Sequence, residues 1–191
     1  MSYAEAAGAE LLVVHAGRLD GGTRALRRLA RRAGEGSVRI AIENAAPHYP
    51  GLSRDVHDPS AVGDLIRRLD CEEVGMCLDI GHAHIAADGA GRELAEVIAP
   101  LLDLVAAFAV HDNFGSRSGA QRAGGIEPMR VDLHLAPGAG SVPWASLAPL
   151  IACHPAPIVL EVHPAQRPVP GTLAVVMREL LGLSAPQICG A

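Results

Sequence analysis

The sequence contains no lysine: its 16 basic residues are all arginine, set against 21 acidic ones, for a formal net charge of −5. Without lysine, barrel aldolases that work through a Schiff base are excluded, and so is a P-loop. The acidic balance argues against a nucleic-acid backbone as the main partner. Aromatic residues make up only 3% of the chain. Its core must therefore be built from Ala, Val, Leu and Ile, with few rings to wedge into a duplex. No apolar run approaches the length of a bilayer span, and Val105–Val110 is closed at once by His111. Met1 is not followed by a basic segment and an apolar stretch, so no secretory signal is visible and a cytoplasmic location is expected. The four cysteines, Cys71, Cys77, Cys153 and Cys189, form no CxxC pair. That fits reduced thiols and argues against a cysteine-based zinc site. GxSxG, GxGxxG and HExxH are absent as well.

What is present is a repeated strand and helix. Short apolar runs at Leu11–Val14, Val38–Ile42, Val74–Leu78, Val105–Val110 and Pro157–Leu160 end at His15, Glu43, Asp79, His111 and Glu161. Between them lie segments of helical spacing: Leu26, Leu29, Ala30 and Ala33; Val62, Leu65, Ile66 and Leu69 after Asp58-Pro59; and Leu94, Val97, Ile98, Leu101 and Leu102. Residues 144–151 and 173–181 predict two more helices, residues 2–9 the tail of another, and 129–135 a short further strand. Apolar strands alternating with helices imply a parallel sheet covered by helices, in one domain over residues 1–191. The expected class is α/β, a TIM-type (β/α) barrel. Five clear strands fall short of the eight that close such a barrel, so the first one or two βα units are expected to be lacking. The unpaired edge at Leu11–Val14 then predicts self-association, and the chain is expected to be a homo-oligomer.

In every repeat the ionisable residue stands at the C-terminal end of its strand, where parallel α/β folds place their sites. A carboxylate such as Glu43 is costly to bury there unless it binds a cation or is hydrogen-bonded; taken alone, it equally fits a buried loop cap. Asp79 and His82 can face one point as the chain turns, with Gly81 permitting a tight turn. His84 fits a loop or helix-start residue. His111 is a natural ligand that Asp112 and Asn113 could orient. Asp132 and His134, two residues apart, share a face of an extended segment. His48, His57 and His154 fit loop positions better than ligand positions.

The stretches HAG at 15–17, AIEN at 41–44, CLDIGHAH at 77–84, VHDN at 110–113, DLHLAPGAGSVPW at 132–144 and LEVHP at 160–164 occur in the order of a known superfamily. The chain resembles the xylose isomerase-like barrels, which include sugar isomerases, sugar epimerases and apurinic endonuclease IV. The resemblance implies that Glu43, Asp79, His111 and Glu161 hold one divalent ion (Mn, Mg, Co or Zn), with Glu43 and Glu161 also catalytic. It implies a small carbohydrate as substrate; the acidic charge disfavours nucleic acid and the short apolar runs disfavour a membrane. His15, His82, Asp132, His134 and Arg130 are then substrate-binding or additional metal residues. The endonuclease pattern would add His15, His82, Asp132 and His134 to the metal set. Leu133 stands where that family often has arginine, which removes a group suited to phosphate. A zinc phosphodiesterase and an inactive truncated barrel are the alternatives.

Overall fold

The computed structural model describes residues 2–16, 19–46, 56–116, 131–166 and 171–182. After a first turn of helix, α1 (Ser2–Ala6), comes β1 (Leu11–His15), then α2 (Leu19–Gly34) and β2 (Arg39–Glu43). Next are α3 (Pro59–Leu69), β3 (Val74–Asp79), α4 (Ile80–Ala90) and α5 (Leu94–Ile98). A 3-10 segment at Ala99–Leu104 leads to β4 (Val105–Val110), and α6 (Trp144–Ile151), β5 (Ile158–Leu160) and α7 (Thr172–Leu180) complete the order. The five strands pair in parallel in the order β1-β2-β3-β4-β5. They form a curled half-barrel, open at β1 and β5 among the described residues. No helix among these residues is long and apolar enough to cross a membrane.

The sheet divides its side chains by size. On the convex face Ile40, Ile42, Met76, Leu78, Phe108 and Val110 are buried against the helices and form the larger core. The concave side carries Ala41, Cys77, Ala107 and Ala109 in a second, smaller cluster with Ala106. Small residues there leave the strand ends free to carry polar side chains. Helix α3 shows how local chemistry sets the frame. The Asp58 carboxylate caps its first turn by accepting from Ser60 N at 2.9 Å, Pro59 fits the first helical position, and Asp70 closes it with φ +48.

Three expectations need correction. The described part of the expected strand at 129–135 is irregular, joined to β4's end only by an antiparallel bridge between Leu135 and Asp112. The chain after Asp79 continues directly into α4, which the sequence hides because Ile80, Gly81, His82, Ala83, Ile85 and Ala87 are buried on several sides. Such a helix lacks a single apolar stripe. The helix expected through Leu102 stops at Ile98, because Pro100 is followed by tighter 3-10 turns.

Candidate metal centre

Register decides which side chains meet. His15 pairs with Glu43 and Glu43 with Cys77; Asp79 pairs with Ala109, which pairs with Val159. Residues two apart on a strand share a face. His15, Glu43, Asp79, His111 and Glu161 therefore rise from the concave side. Glu43 is 5% exposed, and Asp79 and His111 are fully buried, whereas Glu161 is exposed.

Two ligand-like groups overlap at His82: Glu43, Asp79 and His82, and His82, His111, Asp132 and His134. Within each, one donor atom per residue lies within 4.8 Å of all the others. Glu161 belongs to neither group. His111 Nε2 stands 3.2 Å from Asp79 Oδ1 and 3.7 Å from Asp132 Oδ1. His82 Nε2 is 3.4 Å from Asp132 Oδ2, and His134 Nε2 is 3.4 Å from Asp132 Oδ1. Yet Asp79 Oδ2, His82 Nε2, both His111 nitrogens and Asp132 Oδ1 are buried without a hydrogen-bond partner. Neighbouring ligands on one ion, each bonded at about 2.1 Å, sit about 3.0–3.4 Å apart. These spacings and the orphaned donors fit a divalent cation, which would be held by carboxylate and imidazole.

The backbone sets the imidazoles. His82 Nδ1 lies 3.0 Å from the Asn44 carbonyl, and His134 Nδ1 lies 2.7 Å from the Glu161 carbonyl. A carbonyl only accepts, so Nδ1 carries the proton and Nε2 turns its lone pair inward. Asp79 caps α4 by accepting from His82 N at 2.7 Å. Asn44 straddles the Asp79 main chain, donating to its carbonyl at 3.0 Å and accepting from its N–H at 2.9 Å. Sequence reasoning gave Asn44 no role, and only its place beside Glu43 hints at one. Gly81 is helical, not a tight turn: a Cβ there would run into the His111 ring. His111 in turn stacks on His134 with ring centres 3.9 Å apart.

The remaining candidates divide. His15 is half exposed, with Nε2 3.7 Å from Glu43 Oε2, and Arg130 and His48 lie outside the described residues. Asp112 and Asn113 do not orient His111 as expected; they bond to loops and to Gly81. His57 is buried, with Nδ1 3.3 Å from the Ala45 carbonyl. His84 meets Ser141 Oγ at 3.1 Å, and His154 binds the Leu102 carbonyl. None of these three joins a ligand group among the described residues.

Without a cation, charge is balanced by protons. Burial, with Asp79 and Glu161 nearby, raises Glu43 to about 7. Burial opposes charge on His82, but Asp79 and Asp132 outweigh it and hold the ring at about 9. Burial also acts against ionised Asp79 and Asp132, but their histidine neighbours bring both below the usual carboxylate range.

The chain belongs to the xylose isomerase-like TIM barrel family, whose pattern matches residues 1–179. No curated protein matches the sequence. Among solved structures, a D-tagatose 3-epimerase-like protein superposes with TM-score 0.68 at 22% identity, over 95% of this chain and 64% of its own. A xylose isomerase domain protein from Alicyclobacillus acidocaldarius gives 0.60 at 19%, over 92% and 65%. A D-allulose 3-epimerase from Methylomonas, in complex with D-allulose, gives 0.60 at 16%, over 95% and 62%. The chain thus spans just under two thirds of the length of each, and at such identities the likeness establishes the fold.

Proposed function

We propose that this chain is a divalent-metal-dependent isomerase or epimerase acting on a sugar, sugar phosphate or related polyol through an enediolate. The observation that carries this is the set of buried, hydrogen-bond-orphaned donors from Asp79, His82, His111 and Asp132 at the sheet's C-terminal edge. The epimerase neighbours support the same choice. A bound cation would supply charge to the substrate's carbonyl and adjacent hydroxyl oxygens, which acidifies the C–H between them. Glu43, a buried carboxylate at the C-terminal end of β2, is the group placed to take the proton. Glu161, across the concave face on β5's end, returns it from the other side. An open cleft of about 400 Å³, lined by His134, Leu160, Glu161, Val162, His163 and Pro164, adjoins this carboxylate and suits a substrate of monosaccharide size.

The test loads the chain with Mn²⁺ or Co²⁺ and incubates it with ketohexoses in D₂O. Deuterium should enter the carbon beside the carbonyl, and Glu43→Gln should stop it. Metal uptake should release protons near neutral pH, because His82 must lose its second one. Failure to take up metal would end this proposal. A second possibility, a zinc phosphodiesterase, is favoured by one observation: His82, His111, Asp132 and His134 form a second ligand group that shares His82 with the group of Glu43 and Asp79. Hydrolysis of an abasic-site duplex without deuterium exchange would favour it.

A further inference from the structure

Asp132 and His134 reach the centre without a strand to carry them. The described segment from Val131 onward is irregular until α6, and His134 has φ +47, in the left-handed region that few non-glycine residues adopt. Something must hold this segment in place. Behind it lies Asp112, fully buried and charged in kind, one residue past His111 and outside both ligand groups.

Among the described residues, the hydrogen bonds of Asp112 run to this segment or to its own neighbour. Oδ1 accepts from Asn113 N at 2.8 Å and Val142 N at 3.1 Å; Oδ2 accepts from Gly138 N at 2.8 Å and Trp144 Nε1 at 3.0 Å. Its main chain exchanges two 2.9 Å hydrogen bonds with Leu135, the residue after His134. Ser141 N adds a 2.7 Å bond to the Asn113 carbonyl. The approach is tight enough that a Cβ on Gly140 would strike the Asn113 carbonyl and the Asp112 carboxylate.

We propose that Asp112 is the positioning residue of the centre, clamping residues 135–144 to the end of β4 so that Asp132 and His134 are delivered to His82 and His111. The proposal rests on the metal-centre reading above. Its chemistry favours a carboxylate strictly, because both oxygens face two N–H donors each. An amide would set an NH₂ against two donors and release one side of the clamp.

The experiment compares Asp112→Asn with the parent chain and with His134→Ala, which removes a ligand directly. Co²⁺ titration against a competing chelator should show Asp112→Asn binding about 10–100-fold more weakly, the range for outer partners of metal ligands. Its visible Co²⁺ spectrum should move toward that of His134→Ala, while far-UV circular dichroism stays that of the parent. Separately, ¹⁵N spectra of the cation-free chain should show the His134 ring losing its fixed Nδ1–H form. Parent-like affinity and a parent-like His134 ring in folded Asp112→Asn would overturn the proposal. If the parent takes up no Co²⁺, the functional proposal fails, and the His134 ring still decides this one. Should Asp112→Asn not fold, Trp144→Phe, which removes one of the four donors, should show the same changes on a smaller scale. A folded Trp144→Phe identical to the parent on both measures would equally overturn it.

Discussion

The two halves of the centre are built on different principles. Glu43, Asp79 and His111 stand on adjoining strands whose ladder fixes their spacing, and all are at most 5% exposed. Asp132 and His134 stand on an irregular segment and are 14% and 28% exposed. The first half inherits rigidity from the sheet, which cannot slip by one residue without turning its apolar set to the wrong face. The second half depends on a few hydrogen bonds to Asp112 and on a backbone conformation that resists side chains. A site assembled this way is strong where the fold is strong and tunable where it is not.

The largest expected effect comes from the strand half. His111→Ala should weaken Co²⁺ binding by more than the roughly 100-fold that bounds outer-shell changes, and His134→Ala by less. Equal losses in the two variants, read by chelator competition, would erase the contrast between the halves.

Next in size is a pH effect carried by the buried Glu43. The folded pKa of Glu43, about 7, lies above the unfolded value of 4.5. Its contribution to stability is therefore full below pH 4.5 and is lost as pH rises toward 7. His82, raised from 6.5 to about 9, acts in the same sense over a higher range. The cation-free protein should lose on the order of 3 kcal/mol between pH 4.5 and 7 through Glu43 alone. Glu43→Gln should flatten that slope in urea titrations, and saturating Mn²⁺ should reverse it. A cation-free protein as stable at pH 7 as at pH 4.5, with or without Glu43, would show that this carboxylate is not desolvated as described.

Gly81→Ala should cost about 1–3 kcal/mol by overpacking, since the new methyl meets the His111 ring. It should also weaken metal binding, whereas Gly89→Ala, whose Cβ would find ordinary contact with Ser116 at 3.4 Å, should do neither. Thermal melts with and without Co²⁺ distinguish these outcomes.

The smallest effect is on thiol chemistry. Cys77 is buried beside Glu43, Asp79 and Glu161, and burial first, then these charges, push its thiol well above the usual range. Cys153 is exposed. A maleimide at pH 7.5 should label Cys153 promptly and leave Cys77 intact in the folded chain. Ready labelling of Cys77 would mean that the concave face opens more easily than its burial implies.

The sequence by itself determined the alternation of strands and helices and the placing of an ionisable residue at each strand's end. It could do so because apolar runs, caps and breakers act over a few residues. Glu43, Asp79 and His111 were legible for that reason, as were Asp132 and His134 through their spacing, whereas Glu161, marked in the same way at its strand's end, lies outside both ligand groups. It did not reveal α4, whose small buried residues give no one-sided pattern, or Gly81's clearance for an imidazole thirty residues on. Nor could it show that Asp112 serves a distant loop and not its neighbour His111. Only the tertiary structure decided which donors share a point, because strand register and the Asp112 contacts join residues about 25 to 35 positions apart. Long-range distances of that kind are set by packing, and no local preference encodes them.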